Sequence, residues 1–339
     1  MIISQTPVRI SFFGGGSDFP EYYEKHGAAV LSTAINKFAY LTVGYLSSFF
    51  DYRIKISYSR SETVSRVEEI GHPAVRACLE FMGIDSNIEI NYISDLPART
   101  GLGTSSSFVV GLLNSLHAYL GRRASTRQLA REAVYVEREL VGENVGVQDQ
   151  YAAAHGGFNY ISFRSGGDIR VEPVVCPPDR VTTLDDNLML FYTGIQRYSE
   201  NIQKHHVARL EDNTAHLGRL VEMAREALEI VSSPRADLDD FGRLLHEGWQ
   251  LKRSLGTKVS NPEIDEMYEA ALSAGALGGK LLGAGGGGFL LVYAGEDSRP
   301  KVREALSDRL EVDFRFERSG SHVIFYDPDR LGAPRSEVR

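Results

Sequence analysis

The chain has 339 residues, 42% of them apolar and 24% charged, with a formal charge of -8. That length suits one large domain or two ordinary ones. The acidic balance argues against nonspecific binding to nucleic acid or to an anionic membrane, both of which need a positive field. Two cysteines, Cys78 and Cys176, lie too far apart for a disulfide framework or a metal spacing. The N-terminus lacks a basic segment followed by an apolar one, and no apolar run approaches a membrane span, so the expected setting is cytoplasmic.

Taken in chain order, strands are expected over residues 8–13, 28–34, 38–46 and 52–58, then a helix over 68–82 and a strand from Ile88 to Ile93. Helices over 105–120 and 126–141 follow, then strands at 158–163 and 169–175 and an apolar run at 187–192. A helical stripe marked by Ile202, His206, Leu210, Leu217, Leu220 and Ala224 runs over 198–231. Helices at 237–255 and 262–274, strands at 279–282 and 289–293, a helix at 299–310 and strands at 312–318 and 322–326 complete the pattern. Helices interleaved with short antiparallel-looking strands predict an α+β protein rather than a doubly wound sheet. Pro177-Pro178 marks a boundary, which gives domains at 1–185 and 186–330 and a polar tail at 331–339.

The most informative run is Leu96-Pro97-Ala98-Arg99-Thr100-Gly101-Leu102-Gly103-Thr104-Ser105-Ser106-Ser107, between the strand at Ile88 and the helix at 105–120. A glycine-rich turn that opens a helix leaves backbone N–H groups free with the positive end of the helix dipole behind them, which suits phosphate. A plain loop with a helix cap is the competing reading. Two nucleotide templates fail. No Gly-Lys-Ser/Thr run exists, and the Gly-x-Gly-x-x-Gly match at Gly283, Gly285 and Gly288 leads into a strand instead of a helix.

Further candidates lie on either side. Gly14-Gly15-Gly16-Ser17-Asp18 ends a strand, and Asp18 suits either sugar hydroxyls or the N-cap of a helix over 19–25. On a wheel of about 100° per residue, Glu137 falls inside the apolar arc of the 126–141 helix, which demands either a salt bridge or a metal. Asp149 begins a short helix 12 residues later, as a cap or as a general base. Gly278-Gly279-Lys280-Leu281-Leu282-Gly283-Ala284-Gly285-Gly286-Gly287-Gly288 reads as a loop pressed against a ligand or a neighbouring backbone.

In this order the segments resemble the GHMP kinases, from about Pro7 to Tyr293. The resemblance implies an N-terminal domain like ribosomal protein S5 domain 2 and a ferredoxin-like C-terminal domain, with ATP and Mg2+ between them. It makes Pro97, Gly101, Leu102, Gly103, Thr104, Ser105 and Ser106 the phosphate loop, Ser105 and Glu137 the metal ligands, Asp149 the general base and Arg9 the cation near the reacting oxygen. Asp18, Gly15, Gly16, Gly285 and Gly286 fall at the sugar side, with Arg197 and Lys37 as candidates for a clamp on a sugar phosphate. Thr104 and Ser106 depart from the serine and alanine usual in that loop.

The Gly14–Asp18 run lacks the Glu-His pair of galactokinases and is similar to the branch of D-glycero-D-manno-heptose 7-phosphate kinases, as are Ser4-Gln5-Thr6-Pro7 and Phe191-Tyr192-Thr193-Gly194-Ile195-Gln196-Arg197. The expected reaction is therefore phosphorylation of the C1 hydroxyl of a heptose 7-phosphate, for nucleotide-activated heptose and surface polysaccharide. The rivals are a fucokinase-like, galactokinase-like or mevalonate-type enzyme, and a non-catalytic regulator that binds sugar and nucleotide. The oligomeric state is left open between monomer and homodimer.

Overall fold

The computed structural model describes residues 1–98, 100–195, 210–254 and 259–328. The first strand, β1 (Ile2–Phe13), starts well before Val8, because burial alternates through Ile2, Ser4 and Thr6 and then covers both faces. It runs antiparallel to β2 (Ala28–Tyr45), a single strand where the sequence suggested two. The pairing slips between Pro7 and Val8, with Val8 opposite Ile35 and Pro7 opposite Phe38. Pro7 has no N–H for the ladder, and the slip absorbs Asn36 and Lys37 as a bulge.

Between β1 and β2 lies the short helix α1 (Pro20–His26). Strands β3 (Ile54–Ser57) and β4 (Ser61–Val64) follow, and then α2 (Pro73–Met82). The helix expected over 68–82 is thus split into a turn at Val67–Glu69 and α2, since Pro73 suits the first helical position and cannot sit inside. Next come β5 (Ile88–Ser94), α3 (Thr104–Tyr119), α4 (Thr126–Tyr135), α5 (Gln148–His155), β6 (Phe158–Phe163), β7 (Ile169–Pro173) and α6 (Pro178–Asp186). β8 (Leu188–Tyr192), α7 (Thr214–Ser232), α8 (Asp239–Ser254), α9 (Pro262–Ser273), β9 (Gly278–Leu281) and β10 (Phe289–Tyr293) lead to α10 (Arg299–Ala305). The strand expected at 312–318 is replaced by two short ones, β11 (Leu310–Glu311) and β12 (Phe316–Glu317), before β13 (His322–Tyr326).

Among the described residues these strands form two sheets. One has nine strands, with the path β13-β1-β2-β5-β3-β4 and with β6, β7 and β12 attached at β2 and β6. The other has four, in the order β11-β8-β10-β9. The chain therefore returns to its starting sheet, with Ile2 opposite Tyr326 and the N-terminal ammonium bonded to the Asp327 carbonyl. Helix α3 lies on β1 and β2, and α8 packs against β9, so the turn before α3 and the loop after β9 face each other. A large core joins β1, β2 and α3 to α7, while a smaller one centres on Trp249, Phe191 and Tyr268. No described helix is long and apolar enough to cross a membrane.

Candidate active site

The turn before α3 carries Gly101 at φ +82° and Gly103 at φ +74°, the left-handed region that favours glycine. Gly103 is the N-cap of α3 and offers no side chain to its first N–H groups. Helix geometry leaves the N–H groups of Thr104, Ser105 and Ser106 without intrahelical acceptors, so they are available to an anion. A side chain on Gly101 would collide with the Leu282 carbonyl, and one on Gly283 would collide with Gly101. The two glycine-rich segments thus touch backbone to backbone. Leu102 is fully buried, and its carbonyl accepts from the Arg9 N–H at 3.0 Å. Pro97 anchors the entry through its carbonyl, which accepts from the Thr100 hydroxyl at 3.0 Å.

Asp149 approaches this turn from α5. A Cβ at Gly103 would stand 3.2 Å from its Oδ2. Arg9 forks both carboxylate oxygens, Nε to Oδ1 and Nη2 to Oδ2, each at 2.7 Å. The remaining Nη1 donates to the Gly101 carbonyl at 2.7 Å. β1, the glycine turn and α5 are therefore tied at one guanidinium, a bidentate arrangement that fixes orientation as well as charge.

Glu137 reaches the start of α3 at Ser106. α4 does not continue to Val141 as one α-helix but ends in a π-helical turn, Val136–Leu140, a widened geometry often found at functional sites. Glu137 is 1% exposed. Its carboxylate receives the Ser106 hydroxyl at 2.9 Å and the Gln150 side-chain amide, both neutral. Burial pushes its pKa up to about 8, with Glu143 and Asp149 adding to the rise and the two donors opposing it. The salt bridge that the helical wheel left open has no cation here. A buried carboxylate with neutral donors, beside a turn with free hydroxyls, suits magnesium, which needs only one or two carboxylates plus phosphate oxygens. No cluster of three or more His, Cys, Asp or Glu fit for a metal exists among the described residues, so the phosphates themselves would have to complete such a site. Ser105 is exposed at the head of the turn, whereas Ser106 is buried against Glu137.

Asp18 is 1% exposed and does not cap α1, whose N-cap is Phe19 with no side-chain bond. Its carboxylate instead accepts from the Gly16 N–H at 3.0 Å and the Gln148 N–H at 3.1 Å, at the start of α5. Burial raises its pKa, and the nearby Asp149 charge adds to the rise. Gly15 lies against Ser11 and the Gln148 amide, and the Ser11 hydroxyl and Gln148 Oε1 are buried without a hydrogen-bond partner. Such groups await a polar ligand or water. Gly285 and Gly286 stand farther along the loop after β9, where the Gly286 N–H donates to the Val259 carbonyl. Lys37 sits at the β2 bulge without a hydrogen bond or ion pair to a described residue. Arg197 lies outside the described residues.

Ser11, Gln148, Gln150, Lys252 and Lys280 were not singled out from the sequence. Lys252 carried a usable signal: it continues the buried stripe Phe241, Leu245, Trp249 at helical spacing. Lys280 carried another, as a charge in a four-residue strand that is buried throughout.

Comparison with known proteins gives the family. Residues 65–157 match the GHMP kinases N terminal domain and residues 224–312 the GHMP kinases C terminal region. The chain is 28% identical, over 94% of its length and 97% of the relative's, to a D-glycero-alpha-D-manno-heptose 7-phosphate kinase of Campylobacter jejuni. It is 26% identical to a bifunctional fucokinase/GDP-fucose pyrophosphorylase of Arabidopsis thaliana, of which it spans only 32%. Among solved structures, a D-glycero-D-manno-heptose 1-phosphate kinase from Bacteroides thetaiotaomicron matches with a TM-score of 0.79 and 25% identity, covering 96% of this chain and 99% of that one. A Lactococcus lactis galactokinase with galactose shares the fold, with a TM-score of 0.75 at 19% identity over 95% of this chain and 94% of that one.

Proposed function

Because the chain belongs to the GHMP kinases and is an ATP-dependent sugar kinase, we propose that its acceptor is D-glycero-D-manno-heptose 7-phosphate and that it phosphorylates the C1 hydroxyl. One observation carries the chemistry. Arg9 holds both oxygens of Asp149 beneath Gly103, so a base and a cation face the same side of the phosphate-binding turn. The heptose identity is supported by the names of two relatives, and the buried Ser11 hydroxyl and Gln148 Oε1 beside Gly15 offer unpartnered polar groups to a sugar.

In this reading the N–H groups at the head of α3 hold the triphosphate of ATP. The acceptor oxygen attacks the γ-phosphorus, the bond to the bridging oxygen of ADP breaks, and the acceptor proton passes to Asp149. An anomeric hydroxyl is more acidic than an ordinary alcohol, so a carboxylate is base enough. Arg9 favours the charge that develops on the transferring group. Glu137 and a serine of the turn would hold Mg2+, which offsets phosphate charge when bound. Asp18, Gln148 and Ser11 face the sugar hydroxyls. The protein would work in the cytoplasm, where ATP is made available, and its product would feed nucleotide-activated heptose for surface polysaccharide.

The test is ADP release with ATP, Mg2+ and a panel of heptose 7-phosphates, fucose, galactose and mevalonate, followed by phosphorus NMR of the product. Turnover on the heptose 7-phosphate with a new phosphate at C1 is expected. Turnover confined to fucose, galactose or mevalonate, or a phosphate placed elsewhere on the sugar, sinks the assignment.

A further inference from the structure

Two lysines lie between the Gly14 turn and the loop after β9, and the proposed reaction uses neither. Lys252, in the last turn of α8, continues the stripe of Phe241 and Leu245, in the larger core, and Trp249, in the smaller one. It lines a small cavity together with Phe13, Gly14, Gly15 and Lys280. Its Nζ donates to the Gly283 carbonyl at 2.5 Å, and Gly283 is the residue that presses on Gly101 of the phosphate turn. Lys280, on β9, donates to the Ser11 and Phe12 carbonyls at 2.9 and 2.6 Å, just beneath the Gly14 turn.

The charges around the cleft are unevenly matched. Arg9 has a carboxylate in contact, and three of its five guanidinium N–H donors are engaged by Asp149 and Gly101. Neither lysine has an acid in ion-pair contact among the described residues. The charged groups that face Lys252 are Arg9 on β1, Asp18 in the turn after it and, through its effect on the neighbouring amine, Lys280 on β9. Asp18 favours the ammonium of Lys252 through space, while burial and the Arg9 charge bring its pKa down to about 8. Burial also pushes the Lys280 pKa well down, with Lys252 and Arg9 adding to the fall. An ammonium without a contacting anion is costly in such surroundings. An ammonium has three donors, and Lys252 uses one of them on protein. Its one carbonyl partner lies where the two glycine-rich segments meet.

We propose that Lys252 is a phosphate-contacting residue supplied by the C-terminal half of the chain, which takes phosphoryl oxygens once the cleft is filled, while Lys280 holds the Gly14 turn beneath it. This inference rests on the kinase reading above. The oxygens come either from the γ-phosphoryl group of the nucleotide or from the phosphate already on the acceptor. Either source supplies the anion that the uncompensated ammonium lacks. The arrangement also makes full activity depend on α8 staying seated against β9 and β1.

The experiment compares the full chain with Lys252→Met and Lys252→Arg. Calorimetry with Mg2+ measures ADP and a non-hydrolysable ATP analogue, and steady-state assays use phosphorylated and unphosphorylated sugar. Lys252→Met is expected to lower kcat/KM by about 100-fold, the scale of losing one preorganised donor to developing charge, with Lys252→Arg recovering part of it. Weakened binding of the analogue with ADP unchanged assigns the oxygens to the γ-phosphoryl group. A raised KM for the phosphorylated sugar alone assigns them to the acceptor. Lys252→Met within about threefold of wild type in every assay overturns the inference while leaving the kinase reading intact. Wild-type protein that binds no nucleotide overturns both. If Lys252→Met does not fold, Lys252→Arg decides: its guanidinium stays charged above pH 12, so the alkaline fall in kcat/KM moves upward, and an unmoved profile overturns the inference.

Discussion

Asp149 and Glu137 flank one turn and live in opposite surroundings. Asp149 is partly open to solvent, its side chain 24% exposed, and both oxygens meet a guanidinium. Glu137 is sealed in, and among the described residues its carboxylate meets the Ser106 hydroxyl and the Gln150 amide. An acid that is accessible and oriented by a cation is equipped to meet a substrate hydroxyl. A buried acid with neutral donors and a raised pKa is short of positive charge, and a divalent ion would supply it. Two carboxylates 12 residues apart are thus suited to different work by their environments, as the proposed mechanism assigns them.

The sharpest way to break this contrast is at Asp149. Asp149→Asn keeps the shape but cannot take a proton, and kcat should fall by about a thousandfold, within the usual range for a lost general base. ATP binding by calorimetry should stay within about threefold, because the N–H groups at the head of α3 are untouched. Turnover near wild type would remove Asp149 from the base role and leave the Arg9 fork as a structural tie.

Glu137 gives the next largest effect, and its readout is stability as well as activity. Burial lifts its folded pKa to about 8, above the 4.5 of an ordinary glutamate carboxyl. Between those values the folded chain keeps a proton that the unfolded chain has lost. Metal-free stability should therefore fall as pH rises through that window, by up to about 1.4 kcal/mol per unit. Glu137→Gln has no proton to lose and should flatten that slope in urea unfolding series from pH 5 to 8. The same variant should lose most of its magnesium-dependent activity. A slope equal to that of wild type would mean the carboxylate is not sealed from water.

How far the sequence foretold this contrast depends on the range of the forces involved. The α+β class, the two glycine-rich segments and the burial of Glu137 were legible, since turn chemistry and apolar periodicity are local. Local patterning missed what tertiary pairing decides. Strands 28–34 and 38–46 read as two because Asn36-Lys37 interrupt the apolar run, yet the long partner β1 carries the ladder across them. The π-helical turn at Val136–Leu140 leaves no mark in a helical wheel. Asp18 read equally well as a cap because one of its two donors, the Gln148 N–H, comes from 130 residues away. Lys252 was overlooked because a Lys-Arg pair near a helix C-terminus, here Lys252-Arg253, ordinarily serves the helix dipole.

The smallest expected effect separates two neighbouring hydroxyls. By family resemblance Ser105 is the metal's hydroxyl ligand, yet in the free chain it is Ser106 that bonds Glu137, while Ser105 is exposed. Ser106→Ala removes one neutral donor from a buried acid and leaves Gln150 as its partner. The loss should be about 1 kcal/mol of stability, greatest above pH 8, where Glu137 is ionised and needs the donor most. Ser105→Ala removes a solvated group and should leave unfolding unchanged at any pH. If Ser105 nevertheless holds the metal, Ser105→Ala alone should raise the Mg2+ concentration for half-maximal activity several-fold at constant stability. If Ser106→Ala shifts that concentration and Ser105→Ala does not, the buried hydroxyl serves both the acid and the ion, and the ligand role moves one residue along the turn.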